Sequence, residues 1–352
     1  MALYVGVDGG GSKTQVFVLD DESQRGVTCV GHASNPNSVG WDAALAAIES
    51  LIGQCLRSMG AQAGDVCGLS VCMSGVDRPE QVAAIRKRIT QNFSGRSVEV
   101  ANDALAALAA GTGGTPGIVL IAGTGSIAVG ESASGNTVRA GGFGYLIGDE
   151  GSGFHIGRAG IMAAIQSAEG RGPHTVLWEQ LRDAFHLRQP SDVIDAVYQS
   201  SYPVQKVASF AKRVIESAAV DPVAEAILDD AVRHQASLVR SIQDQLIQHQ
   251  LADDALQQLV LSGGIFTSND VLTERLQHRL PDVQCQVLRV CAASGAALRA
   301  ALCHRRMSGN GNWPDPAWME GWRRAARNPQ EIADPSSDVD AGQSTMVSLE
   351  GM

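Results

Sequence analysis

Twice along this chain an apolar run, a turn built from glycine with serine or threonine, and a second apolar run follow one another. That repeat restricts the fold more than any other feature. The first copy is residues 3–7, Gly9-Gly10-Gly11-Ser12 and residues 15–19; the second is residues 118–122, Gly123-Thr124-Gly125-Ser126 and residues 127–131. Each copy predicts two strands joined by a tight turn. After the first come a strand at 28–32, a helix at 43–56 with Leu45, Ile48, Leu51, Ile52 and Leu56 at helical spacing, a strand at 68–73, a helix at 79–91, a strand at 97–100 and a helix at 104–110. After the second come a helix at 223–247, a strand at 258–261, a helix at 271–280, a strand at 284–288 and a helix at 292–302. The shared order predicts a duplicated α/β domain. Its lobes are expected at 1–112 and 113–304, the second with a helical insertion, and the glycines at 111–114 serve as the hinge. Residues 305–352 lack periodicity and are expected to form a tail, disordered in part after Asn328 and docked by Trp313, Trp318 and Trp322.

Composition narrows the function classes. The 352 residues are 44% hydrophobic and 18% charged, enough for two folded domains. A formal charge of −10 without a Lys/Arg run argues against a nucleic-acid or membrane partner and for a small molecule. The seven cysteines form neither a CxxC pair nor a Cys/His metal spacing, and read as small core hydrophobes. With no signal-like segment and no apolar stretch long enough to span a bilayer, the expected compartment is the cytoplasm.

The 39 glycines are gathered in loops, where backbone can approach a ligand closely. Asp8-Gly9-Gly10-Gly11-Ser12-Lys13-Thr14 nearly spells a P-loop, but a P-loop opens a helix and residues 15–19 read as a strand. The alternatives are an ordinary hairpin turn and a phosphate cradle, in which amides, the Ser12 hydroxyl and the Lys13 charge meet phosphate while Asp8 holds hydrated Mg²⁺. Gly123-Thr124-Gly125 imitates a dinucleotide fingerprint and fails for the same reason, yet as a second such turn it suits the other side of one triphosphate. Gly263-Gly264, between a strand and a helix, is either a tight strand–helix turn or a flat surface for a nucleotide base or sugar. Asn102-Asp103 reads as a helix cap or, if nucleotide is near, as a carboxylate positioned to take a proton from an attacking hydroxyl. Six glycines around Asp149 and Glu150, in residues 141–153, argue for backbone contact with a polyol. Asn35 is a capping residue or a second polar contact, and Ser74 lines the same edge.

This ordered set resembles the actin/Hsp70/sugar-kinase superfamily and, within it, the BadF/BadG/BcrA/BcrD-type ATPase family, N-acetylglucosamine kinase branch. The matching segments are Asp8 to Thr14, Ser34 to Asn37, Asn102 to Ala104, Ile121 to Ser126, Gly141 to Gly144, Gly148 to Ser152 and Ser262 to Gly264. The resemblance implies two RNase H-like halves with mixed sheets around an interlobe nucleotide cleft. It also implies ATP and Mg²⁺ as cofactors and transfer of phosphate to the 6-hydroxyl of an amino sugar: N-acetylglucosamine, glucosamine or N-acetylmuramic acid; a homodimer is expected only because it is the commonest oligomer. Carried over by residue, Ser12 and its glycines hold phosphate, Thr124 contacts ATP, and Asp103 is both sugar ligand and general base. Sugar contacts are implied for Asn35, Ser126, Ile127, Gly142, Phe143, Gly144 and Asp149. Animal members have Trp where this chain has Phe143, and Arg171-Gly172-Pro173 resembles bacterial relatives. The alternatives are an ATPase activating a 2-hydroxyacyl-CoA dehydratase or benzoyl-CoA reductase, whose characteristic cysteine has no counterpart in residues 142–153, and a sugar-responsive ATP-binding regulator without catalysis.

Overall fold

The computed structural model describes residues 1–76, 78–248, 257–309 and 314–332. They divide into two compact units, residues 1–114 with those from 290 onward, and residues 115–289.

In the first unit β1 (Leu3–Gly9), β2 (Thr14–Asp20), β3 (Gly26–Gly31), β4 (Val66–Met73) and β5 (Ser97–Asn102) lie in the order β3-β2-β1-β4-β5. The first three run antiparallel as a meander, whereas β4 and β5 pair in parallel. Both faces are covered, which is why β1 is buried almost throughout instead of alternating with solvent. Leu3, Val5 and Val7 join the cluster under helix Trp41–Ser58, where Leu45, Ile48, Leu51, Ile52 and Leu56 are buried as their spacing predicts. Tyr4, Phe17 and Leu19 face the opposite way, against helix Ala292–Met307. Its alanine-rich surface comes so close that a Cβ on Gly6 would lie 2.7 Å from the Ala296 carbonyl carbon. That packing moves a boundary: residues 290–304, expected in the second lobe, belong to the first, because the small residues of this helix fit the β1–β4 surface.

The second unit repeats the topology. Its strands β6 (Gly117–Ala122), β7 (Ser126–Glu131), β8 (Thr137–Gly141), β9 (Gln258–Ser262) and β10 (Gln284–Val287) take the order β8-β7-β6-β9-β10. Again the first three are antiparallel and the last two parallel. The expected duplication is therefore present strand for strand. Sequence patterning missed β8, whose Thr-Val-Arg-Ala-Gly is only partly buried and carries no alternation. Between β8 and β9 lies the helical insertion: Gly153–Ala168, Leu177–Phe185, Asp192–Tyr198, Pro203–Ser209, Ala211–Ser217 and Pro222–Gln248.

The tail is more ordered than its composition predicts. Helix Pro316–Arg327 docks on the first unit, with Trp318 Nε1 donating to Asp21 Oδ1 at 2.7 Å and Trp322 Nε1 to the Ser294 carbonyl at 3.0 Å. Then β11 (Gln330–Ile332) adds in parallel to β3. Disorder from Asn328 is thus corrected as far as Ile332, because edge pairing satisfies the backbone there; residues 333–352 and Trp313 lie outside the described residues. No helix among the described residues is long and apolar enough to cross a membrane.

Candidate active site

The parallel strands of the first unit bring its candidate residues to one edge. In register, Gly9 pairs with Met73 and Met73 with Asn102, so the segments that follow β1, β4 and β5 leave the sheet side by side. Carboxyl ends of parallel strands are where open α/β sheets bind ligands. The Gly10 amide donates to the Lys13 carbonyl at 2.9 Å and closes a tight turn that leaves Gly11, Ser12 and Lys13 exposed. Because this turn leads into β2 and not into a helix, the P-loop reading is rejected. The Ser74 amide donates to the Gly9 carbonyl at 2.8 Å and the Ser34 amide to the Gly10 carbonyl at 3.2 Å, tying the glycine turn to both polar segments. Asn35 Oδ1 caps helix Pro36–Val39 by accepting from the Asn37 amide at 2.9 Å, and both asparagines pack on Gly75. Thr14 stands apart from its neighbours: its side chain is fully buried and its hydroxyl donates to the His32 carbonyl at 2.6 Å, so it holds the hairpin together.

Asp8 ends β1 with no hydrogen-bond partner for its carboxyl among the described residues. Burial pushes that carboxyl up to about 6, with the Lys13 charge pulling it back. A carboxyl in that position fits a hydrated divalent cation, which would restore the charge balance that burial disturbs. Nearby segments add two buried hydroxyls, Ser34 Oγ and Ser74 Oγ, without a hydrogen-bond partner among the described residues. Asn102 Oδ1 accepts from the Ala104 amide at 3.0 Å and is the cap of helix Asp103–Thr112. The capping role therefore falls to Asn102, leaving Asp103 as the first residue of the helix.

The second unit offers its own turn at the corresponding edge. Gly123 and Thr124 accept through their carbonyls from the Gly153 and Phe154 amides at 2.8 and 3.1 Å, so the turn seats the start of helix Gly153–Ala168. Together with Gly264 and Ile265 they line a cavity of about 410 Å³, which Gln205, Ser209, Lys212 and Ser268 complete. Those four polar residues were not found from sequence, because short helices separated by a few residues give little periodicity to read. Gly263 has φ +94° and packs its Cα against Ala122, which turns the chain sharply enough for helix Gly264–Thr267 to face the cavity.

Asp149 is nearly buried and sits at φ +61°. Burial raises its carboxyl above the usual range, while the Ser126 and Gly144 amides work to lower it. Its Oδ1 accepts from the Ser126 amide at 3.2 Å, and the Ser126 hydroxyl donates to the Glu150 carbonyl at 2.8 Å. Ser126 thus orders the acidic loop with both its polar groups. Ile127 lies under Gly142, Gly144 stays open on one side, and Phe143 is largely exposed beneath the Arg139 guanidinium, 5.4 Å from its ring centroid.

A sequence model described as the BadF/BadG/BcrA/BcrD ATPase family matches residues 5–300. An N-acetylmuramic acid/N-acetylglucosamine kinase of Clostridium acetobutylicum is 31% identical over 307 residues, covering 85% of this chain and 98% of that one. An N-acetyl-D-glucosamine kinase of Dictyostelium discoideum is 31% identical over 314 residues, covering 85% and 97%. Among solved structures, a ROK family glucokinase from Streptomyces griseus, in complex with glucose and AMPPNP, superposes with a TM-score of 0.53 at 17% identity, covering 86% and 99%.

Proposed function

Because this chain belongs to the BadF/BadG/BcrA/BcrD ATPase family, we propose that it is an ATP-dependent kinase of an amino sugar, transferring the γ-phosphoryl group to the 6-hydroxyl of N-acetylglucosamine or a close relative. The observation that carries this reading is that Asp8 with the glycine turn, at the end of β1, and Asp103, after β5, lie at one edge of the parallel set β1-β4-β5. That placement supports a role for Asp8 toward a cation, for the turn toward phosphate and for Asp103 as proton acceptor. The two curated kinases, 31% identical, support the substrate class.

In this reading Asp103 accepts the proton of the sugar 6-hydroxyl as that oxygen bonds to the γ-phosphorus. The bond from phosphorus to the β-phosphate bridging oxygen breaks, and ADP leaves with the electron pair. The turn of Gly9, Gly10 and Gly11, with Ser12 and Lys13, meets phosphate oxygens, as does the turn of Gly123, Thr124 and Gly125; the Gly10 and Gly123 amides serve instead to close their turns on the Lys13 and Gly125 carbonyls. The cavity lined by Thr124 and Gly264 takes the nucleoside, with Lys212 as an added cation at its wall. Asn35, Ser74 and Asp149 meet sugar hydroxyls directly, whereas Ser126 acts by ordering the Asp149 loop. Asp8 would hold a hydrated Mg²⁺, which would supply charge neutralisation at the phosphates.

The experiment is ADP release with Mg·ATP and a panel of N-acetylglucosamine, N-acetylmuramic acid, glucosamine and glucose. Turnover on an amino sugar is expected, with Asp103→Asn about 100-fold slower or worse while still binding ATP. ATP hydrolysis that no sugar accelerates refutes the kinase reading, and near-normal turnover of the variant refutes the role of Asp103.

A further inference from the structure

The Asp149 loop is held from outside by two side chains that have no other evident task. The Gly151 amide donates to His155 Nδ1 at 2.8 Å, and the Gly151 carbonyl accepts from Gln235 Nε2 at 2.7 Å. One helix supplies each partner: Gly153–Ala168 the histidine and Pro222–Gln248 the glutamine. Gly151 is wedged between them, since a Cβ there would lie 2.7 Å from Gln235 Cγ and 2.8 Å from the Ala231 carbonyl oxygen. We propose that His155 is a positioning residue for the Asp149 loop, fastening Gly151 through an unprotonated Nδ1 and letting it go when the ring becomes cationic. The proposal rests on the reading of Asp149 as a sugar contact.

The hydrogen bond fixes the tautomer. An N–H pointing at Nδ1 requires a lone pair there, so the neutral ring carries its proton on Nε2, which lies 3.4 Å from Asp230 Oδ2. A second proton can enter only at Nδ1. Two donors would then face each other, and the Gly151 amide would lose its acceptor.

The same reasoning argues against a cation between His155, Asp230 and His234, whose ligand atoms are close enough for one. Coordination through Nε2 would drive the proton to Nδ1 and break the same bond. The surrounding charges instead adjust when the ring titrates. Burial lowers its affinity for a proton, Asp230 and Glu150 raise it, and His234 and Arg158 lower it. Asp230 is itself shared with Arg233 and His234, which weakens its pull. The net direction is downward, so the fastening holds at neutral pH and fails below the ordinary histidine range. The Asp149 carboxyl, which burial raises, also holds this loop through the Ser126 amide, and a variant that changes only residue 155 keeps that titration in place.

Two variants and two measurements test this. His155→Asn places an amide Oδ1 where Nδ1 was, keeping the acceptor and removing the titration; His155→Leu removes the acceptor. Hydrogen exchange of residues 148–153 is followed in the unliganded protein from pH 7.5 to 5, corrected for intrinsic rates, and the amino-sugar KM is measured over the same range at saturating ATP. Protection of the Gly151 amide should fall about 10-fold in acid for wild type, stay level in His155→Asn and be low throughout in His155→Leu. The KM should follow the inverse pattern, with kcat changing less. Parallel pH profiles in wild type and His155→Asn overturn the proposal, as does full protection in His155→Leu. If the exchange pattern appears but no form phosphorylates an amino sugar, the fastening stands and the kinase reading falls.

Discussion

Two adjacent glycines at the end of β9 allow stability and nucleotide binding to be separated by a single methyl group. At Gly263 the backbone takes φ +94° and ψ 160°, a region that is essentially closed to residues with a side chain and costs them about 1–3 kcal/mol. The added Cβ of Gly263→Ala would also lie 2.5 Å from the Ala122 carbonyl carbon and 3.0 Å from its nitrogen, closer still to its oxygen. These are backbone atoms at the end of the central strand β6, so no rotamer change relieves the clash. Overpacking of that kind adds about 1–3 kcal/mol, and the two together give a loss of roughly 2–6 kcal/mol. At Gly264 a Cβ meets nothing within 4 Å and the residue opens a helix, so Gly264→Ala should stay within about 0.5 kcal/mol of wild type. Gly264 lines the cavity, however, and its methyl would take space proposed for the nucleoside. Urea unfolding should therefore show a midpoint lowered by about 1 M or more for Gly263→Ala and unchanged for Gly264→Ala. Initial rates should show a raised ATP KM for Gly264→Ala at unchanged amino-sugar KM. Equal unfolding midpoints for the two variants would refute the steric argument, and an unaltered ATP KM for Gly264→Ala would remove the nucleoside from that cavity.

Asp149→Ala should raise the amino-sugar KM at least tenfold with a smaller change in kcat, measured by initial rates; an unchanged KM would make the carboxylate a loop tie only. Asp8→Asn should shift the Mg²⁺ dependence of turnover to higher concentration, read by titrating the cation at fixed ATP, and an unshifted curve would take the cation away from Asp8. Glu99 is held by Arg299 at 2.6 Å and accepts from the Ser70 hydroxyl at 2.7 Å. Burial works to raise its carboxyl, yet the Arg299 charge and these hydrogen bonds hold it below its ordinary 4.5. Its contribution to stability is thus complete above that value and is lost as pH falls through the lower folded one, so Glu99→Gln should flatten the acid limb of a stability profile. Arg299→Met, which leaves the partly buried carboxylate without its guanidinium, should cost about 1–3 kcal/mol at neutral pH by chemical unfolding.

The duplication was legible because it is written in two signals that burial and turn geometry enforce, apolar runs of strand length and glycine turns between them. The cap at Asn102 and the strand after the glycine turn followed from the same local rules. What escaped has a common cause. The strand β8 packs only one valine and one alanine partly inside, so little hydrophobic patterning records it. Helix Ala292–Met307 reads correctly as a helix, but which sheet it covers depends on the fit of small residues to the β1–β4 surface, and a residue such as Gly6 reveals that only once its neighbour is known. The docked tail is similar: Trp318 and Trp322 announce burial, but their acceptors, Asp21 and the Ser294 carbonyl, are far away in sequence. Gln235 and His155 are 80 residues apart and meet on one peptide, which no spacing rule connects.

One sheet topology used twice presents the same edge twice, and the two copies differ in what they place there. The first unit carries the groups whose charge matters: Asp8 with its disturbed carboxyl, Lys13 on the exposed turn, and Asp103 opening a helix at the end of β5. In the second unit the turn spends its carbonyls on seating a helix, and the buried acid beside it, Asp149, is fixed by amides and by the His155 and Gln235 contacts on Gly151. Recognition of a polyol calls for acceptors that do not move, since each hydroxyl is selected by them. In the proposed reading the first copy serves phosphate transfer and the second the sugar's identity. Substitutions along the loop 141–153 should therefore change which sugar is taken before they change how fast phosphate is transferred, and substitutions at Asp8 or Asp103 should do the reverse.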